Sequence, residues 1–186
     1  MRVIAGTARG TKLAALPGTE ITRPTVDRVK EGMFSAVQFE LPGARVLDLF
    51  AGSGQLGIEA LSRGAARCVF LDEDRGAAAI VAQNLKAAGL FGQASVSNMT
   101  AQSYLAAARE EFDLVLLDPP YRHGTLAQLL PEVARLTAPG GSVLCESELE
   151  AVLPAQAGGL TMQKQYKYGK VLVTRYRKER VQEETQ

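Results

Sequence analysis

The sequence predicts an α/β protein built on a doubly wound, mostly parallel sheet of seven strands with an antiparallel C-terminal strand. Three observations lead there. From Arg45 to Cys145, short apolar runs of strand length alternate with stretches of helical periodicity. A glycine-rich turn, Gly52-Ser53-Gly54-Gln55-Leu56-Gly57, joins the first run to the helix after it. A later run, Phe112–Leu117, stops abruptly at Asp118-Pro119-Pro120-Tyr121.

In chain order, Arg2–Gly6 and Thr11–Leu13 are short extended pieces about Arg9-Gly10, which predicts a β-hairpin. Thr25 is the expected cap of a helix whose stripe is Val26, Val29, Met33, Phe34 and Val37, ending before Pro42-Gly43. Strands are expected at 45–50, 67–72, 94–97, 112–118 and 142–145, and helices at 55–63, 75–88, 102–109 and 125–136. Runs 160–167 and 170–177 flank Tyr168-Gly169 and predict a C-terminal hairpin. The expected organisation is a hairpin-and-helix extension over 1–40, a main domain over 41–178, and a frayed tail over 179–186.

With 186 residues, 46% hydrophobic and 22% charged, the chain suits one globular domain with its own core. Cys68 and Cys145 lie inside apolar runs, as free thiols do in a reducing compartment. No segment reaches the roughly 18 apolar residues of a membrane span, and the start of the chain lacks a signal-like apolar stretch. A cytoplasmic, monomeric protein is expected. His123 is the only histidine and no Cys/His cluster surrounds it, so no metal is expected. Net charge is +1, but residues 1–30 carry +4, 31–160 carry −7 and 161–186 carry +4. Basic ends folded onto one side would make a footprint for a polyanion. Arg2, Arg9, Lys12, Arg23, Arg28 and Lys30 are its N-terminal candidates, and the C-terminal hairpin adds further Lys, Arg and Tyr residues.

The glycine turn matches G-x-G-x-x-G, and Asp72 lies 20 residues past Gly52 at the end of the next strand. Glycines let the backbone turn tightly and approach a ligand, while the acid suits a ribose diol. That layout serves dinucleotides and S-adenosylmethionine alike, and spacing alone does not separate them. Asp118-Pro119-Pro120-Tyr121 does. Prolines end the strand and leave a carboxylate, bare carbonyls and a ring at its carboxyl end. Asp118 and a proline carbonyl can accept both N–H bonds of a conjugated amine, while Tyr121 stacks on the ring that bears it. Asp-Pro-Pro-Tyr resembles the signature of amino-methyltransferases.

Further blocks occur in one order over nearly the whole chain: Arg2-Val3-Ile4-Ala5-Gly6, Arg23-Pro24-Thr25-Val26-Asp27-Arg28-Val29-Lys30-Glu31, Leu49–Gly54, Glu59-Ala60-Leu61-Ser62-Arg63-Gly64, Asp118–Tyr121 and Glu146-Ser147-Glu148. That order resembles the bacterial 16S rRNA guanine-N2 methyltransferase family. The resemblance implies a Rossmann-like class I methyltransferase fold and S-adenosylmethionine as cofactor. It implies cofactor contacts from Asp48, Phe50, Ala51, Gly52, Ser53, Gly54, Asp72 and Glu73, and catalytic roles for Asp118, Pro119, Pro120 and Tyr121. Such enzymes meet the adenine amino group after the third strand, where this chain offers Asn98 and Thr100. The implied partner is 16S rRNA within a small-subunit particle, with the N-terminal segment holding rRNA and roofing the cofactor. A DNA adenine-N6 methyltransferase and a non-catalytic nucleic-acid-binding module remain the alternatives.

Overall fold

In the computed structural model, residues 1–17, 24–120 and 125–180 are described, the side chains of 24–26 apart. Helix α1 (Pro24–Ala36) precedes the alternating region: β1 (Arg45–Asp48), α2 (Gln55–Ser62), β2 (Arg67–Asp72), α3 (Arg75–Ala87), β3 (Ala94–Asn98), α4 (Ala101–Ala107), β4 (Phe112–Leu117), α5 (Thr125–Leu136) and β5 (Thr137–Glu148). Three strands follow: β6 (Gln156–Ala157), β7 (Leu160–Tyr168) and β8 (Val171–Lys178). They form one sheet in the order β3-β2-β1-β4-β5-β8-β7-β6. Strands β1 to β5 are parallel, and β8 is antiparallel to both neighbours. Strand order reverses between β1 and β4, which opens a crevice at their carboxyl ends.

The two faces of the sheet bury separate clusters because successive side chains point opposite ways. Val46, Leu114, Leu116 and Leu144 face the N-terminal segment and helices α1, α2 and α3. Leu47, Val115, Leu117 and Cys145 face α4 and α5. Val29, Met33 and Phe34 of α1 and Val37 just after it are buried, as the predicted stripe requires, while the Val26 side chain lies outside the described ones. Val3 and Leu13 join the same cluster, so the N-terminal segment shares the core of the sheet.

The N-terminal hairpin forms but is short: Arg2 and Lys12 make its antiparallel bridge, with Val3 N donating to Thr11 O, Leu13 N to Met1 O and Gly10 N to Val3 O. Three local expectations need correction. Helix α1 starts at Pro24, which is preorganised for a first helical position, so Thr25 lies inside the helix and is not its cap. Strand β5 begins at Thr137, directly after α5, and absorbs Pro139-Gly140-Gly141 where its register against β4 shifts. The two-residue β6 makes the sheet eight-stranded. Of the expected tail, residues 181–186 lie outside the described residues.

The hairpin goes no further because the next N–H groups turn to Glu59 on α2. Its buried carboxylate accepts the N–H groups of Ile4 (2.8 Å) and Ala5 (3.0 Å) and the Arg63 guanidinium (2.8 Å). The Lys30 ammonium lies 3.6 Å from the same carboxylate and donates to the Arg2 carbonyl at 2.6 Å. Ser62 holds the next residues, donating to Ala5 O and accepting from Ala8 N. Gly6 passes over this corner with φ +85°, where a Cβ would lie 1.8 Å from the Ser62 carbonyl oxygen. Further along, Asn84 of α3 exchanges two hydrogen bonds with Ala14 and donates to the Ser53 carbonyl. Replacing Glu59 with alanine would leave Lys30 buried and unpaired. The Glu59→Ala variant should lose about 3–5 kcal/mol in urea denaturation; a loss under 1 kcal/mol would show that this clamp does not hold the segment.

Candidate active site

Asp48 ends β1, and the chain then turns through Leu49–Gly54 into α2. Gly54 sits at the helix N-cap with φ +78°, a left-handed conformation that glycine adopts without steric cost. Gly57 allows α2 to press on β2, since a Cβ there would stand 2.3 Å from the Phe70 ring. Gly52, φ +53°, has open space where a Cβ would project. Two carboxylates brace the turn from below. Asp48 accepts the Gly57 N–H at 2.9 Å, and Asp72 accepts those of Gly52 and Asp74 at 2.8 and 2.9 Å.

The crevice above the turn is a cavity of about 1020 Å³. Its walls include Phe50, Ala51, Gly52 and Ser53 of the glycine turn, Asp72 and Glu73 after β2, and Asp118, Pro119 and Pro120 after β4. Asp48 and Gly54 lie outside this wall and act through the turn they brace. Asn98 and Thr100 lie outside it too. The Asn98 amide donates to the Asp72 carbonyl, and Thr100 caps α4 by accepting from Ser103 N. Met99, Ala101 and Gln102 line the cavity instead. The strand-to-helix turn carries alternate residues inward, a periodicity hidden in a stretch with no apolar pattern. Tyr121 and His123 lie outside the described residues.

Other walls were not legible from local motifs. Met1, Leu16, Val29 and Lys30 close one side, Glu146 another, and Gly169-Lys170-Val171 bring in the β7–β8 turn. Gln55 also lines the cavity, and its buried Oε1 has no donor among the described residues. Lys30, expected in an exposed basic footprint, is 1% exposed and engaged with Glu59. Arg9, Lys12 and Arg28 are exposed, Arg2 faces solvent beside Asp27 (3.4 Å), and Arg23 lies outside the described residues. Helix α1 links both basic ends: Gly32 lies against Tyr168, whose hydroxyl would be 1.9 Å from a Cβ there. Among the described residues no His, Cys, Asp and Glu group could hold a metal ion, and no helix is long and apolar enough to cross a membrane.

Electrostatics at the floor is unusual. Burial, reinforced by the charges of Asp118 and Asp72, pushes the Asp48 carboxyl up to about 7, against the Gly57 N–H that favours its ionised form. Its Oδ1 is buried with no donor among the described residues. Asp118 opens onto the cavity yet is enclosed enough that burial raises it to about 6. Both carboxyls thus prefer a proton, or a cation, more than an exposed acid does.

A mostly parallel sheet with an inverted strand beside β5 and a crevice at its switch point is the architecture of class I methyltransferases, whose methyl donor is S-adenosylmethionine. The chain belongs to the family described as conserved hypothetical protein 95, which matches residues 1–177. It is 43% identical to YlbH of Bacillus subtilis, named provisionally as an rRNA methyltransferase, over 96% of this chain and 99% of that one. It is 36% identical to ribosomal RNA small subunit methyltransferase D of Escherichia coli K12, over 96% and 90%. The solved structure of yhhF from Escherichia coli superposes with a TM-score of 0.84 at 35% identity, over 97% and 99% of the two chains.

The shift of Asp48 gives a signed prediction. Its folded value of about 7 exceeds the ordinary 3.8, so the folded protein retains a proton that the unfolded chain has lost across that window. Ionising Asp48 therefore costs stability as pH rises from about 4 to about 7. Asp48→Asn should raise the denaturation midpoint relative to the parent at pH 8 and hardly at all at pH 4. An equal difference at both pH values would refute burial of the charge as the cause.

Proposed function

We propose that this protein transfers a methyl group from S-adenosylmethionine to the exocyclic N2 of a guanine in 16S rRNA, within a small-subunit particle. One observation carries the reading: the Asp118-Pro119-Pro120 rim and the glycine turn line the same cavity. The names of the relatives, rRNA methyltransferases over nearly the full chain, support rRNA as the substrate. The enzyme is read as cytoplasmic and monomeric.

The residues present fit the donor. A cavity of about 1020 Å³ lies at the top of the roughly 300–1,000 Å³ usual for ligand sites, leaving room for a base beside the cofactor. Gly52 turns a bare Cα toward it, and Gln55 offers an unpartnered acceptor. Phe50, Ala51, Gly52 and Ser53 would hold its centre, Asp72 and Glu73 its ribose, and Met99, Ala101 and Gln102 its adenine. When bound, the donor supplies an electrophilic methyl on a cationic sulfur.

The rest is the work of the chain itself. The guanine amine is a poor nucleophile because its lone pair is delocalised into the ring. Asp118 and the Pro119 carbonyl accept its two N–H bonds and turn the lone pair toward the methyl. The new N–C bond forms as the C–S bond breaks, and the amine proton leaves to Asp118 or water. Tyr121, next in the chain, stacks on the base, which must leave its own stack to reach the site. Exposed Arg9, Lys12 and Arg28 hold phosphates outside.

Labelled S-adenosylmethionine supplied with rRNA, assembled small subunits or duplex DNA, followed by nucleoside analysis, tests this reading. N2-methylguanine is expected; methyladenine, or no product on any substrate, overturns it. Asp118→Ala should lower kcat at least about 100-fold while cofactor binding survives. Since Asp118 is the stronger acceptor and can take the amine proton only when ionised, kcat/KM should fall as pH drops through about 6. A profile flat from pH 5 to 8 would remove Asp118 from that role.

A further inference from the structure

An acid at the end of β5 has no part in the reaction as described. Leu117 pairs with Cys145 in the parallel β4–β5 register, so the next residues, Asp118 and Glu146, stand side by side. Adjacent strands lie about 4.8 Å apart, within reach of neighbouring groups on one small ring. Side chains at one register level share a face: Leu117 and Cys145 point to the α5 side, Leu116 and Leu144 to the N-terminal side. By that alternation Asp118 and Glu146 point together to the N-terminal side. Both line the cavity. Glu146 is also paired with the fully buried Val173 of β8, so its backbone is held on that flank, one residue past the last β4–β5 pair.

We propose that Glu146 determines base specificity, its carboxylate accepting the N1–H of the target guanine while Asp118 accepts from the adjacent N2 amine. The inference rests on the guanine-N2 reading above and deepens it. A single carboxylate that grips an exocyclic amine does not tell one base from another. Two neighbouring acceptors do. Guanine presents N1–H and N2–H side by side on its Watson–Crick edge. Adenine and cytosine present their amine beside a ring nitrogen with a lone pair, which would face the second carboxylate. A site built to accept an N–H rejects an analogue lacking it, because the acceptor is left opposed by another acceptor.

The test uses the full-length enzyme and rRNA assembled into small subunits, with the mapped target guanine replaced by 2-aminopurine. That base keeps the 2-amino group but offers a lone pair at N1. The parent enzyme should strongly prefer guanine. Glu146→Gln should narrow the guanine-over-2-aminopurine ratio of kcat/KM by about tenfold or more, since a carboxamide N–H can donate to N1. Glu146→Asp, which keeps a carboxylate, should be slower yet retain the preference. An unchanged ratio in Glu146→Gln, whether both rates fall together or neither does, overturns the proposal. Equal relaxation in both variants overturns it as well. A parent enzyme that makes no N2-methylguanine defeats the underlying reading instead, and that result is visible before any variant is made.

Discussion

The buried carboxylate of Glu59 is the constraint on which the rest of the structure depends. Burying an ionised acid costs several kcal/mol unless partners replace its hydration. Here two backbone N–H groups, Arg63 and Lys30 do so, and three of those four partners belong to the first 30 residues. The N-terminal segment is therefore fixed to α2 by charge and hydrogen bonding, in addition to its short hairpin pairing and the burial of Val3 and Leu13. Met1, Leu16, Val29 and Lys30 become cavity walls as a consequence. Asn84 repeats the device on α3, tying Ala14 and the Ser53 carbonyl of the glycine turn to one amide. Cofactor turn and N-terminal roof thus share two anchors, and displacing one disturbs the other.

Much of this architecture could be read locally. The βα alternation came from unbroken apolar runs such as Val115-Leu116-Leu117, buried on both faces. The glycine turn declared itself because Gly52, Gly54 and Gly57 each meet a distinct steric demand. Asp118 was legible because two prolines stop the strand behind it. What could not be read was decided by distant partners. Lys30 counts as one more basic residue until Glu59, 29 positions later, is placed beside it. Arg2–Gly6 and Thr11–Leu13 read as hairpin strands and do pair at Arg2 and Lys12, but the pairing stops short because Ile4 and Ala5 give their N–H groups to a helix. At the end of β3, Asn98 and Thr100 are the polar residues that draw attention, yet Asn98 donates to the Asp72 carbonyl and Thr100 caps α4, and apolar Met99 and Ala101 line the cavity.

The acids at the floor explain how one glycine fingerprint can serve a methyl donor. Asp48, Asp72 and Asp118 lie close enough that the charges of the latter two help raise the Asp48 carboxyl. Grouping these acids carries a cost, seen in the raised values of Asp48 and Asp118. A cationic sulfonium relieves it, whereas the pyrophosphate of a dinucleotide would add to it. Asp72, with one oxygen on Gly52 N–H and the other on Asp74 N–H, first sets the shape of the turn. Its remaining lone pairs can accept from hydroxyl groups, so on the proposed reading a single residue would both build the cradle and read its contents.

Charge also dictates how a polyanion can use such a site. Phosphates are repelled from a cleft lined by Asp72, Glu73, Asp118 and Glu146, and they are attracted to Arg9, Lys12 and Arg28 outside it. Helix α1 brings the basic β7–β8 hairpin to the same rim, with Gly32 seated on Tyr168 and Lys170 in the cavity wall. On the proposed reading a nucleic acid would be held by its backbone outside the cleft, while a neutral group rich in N–H donors would be drawn inward. A flipped guanine would meet that description better than an adenine, because two of its neighbouring edge atoms donate where the acidic walls accept. Separating positive surface from acidic interior in this way would orient the substrate before any residue of the site touched it.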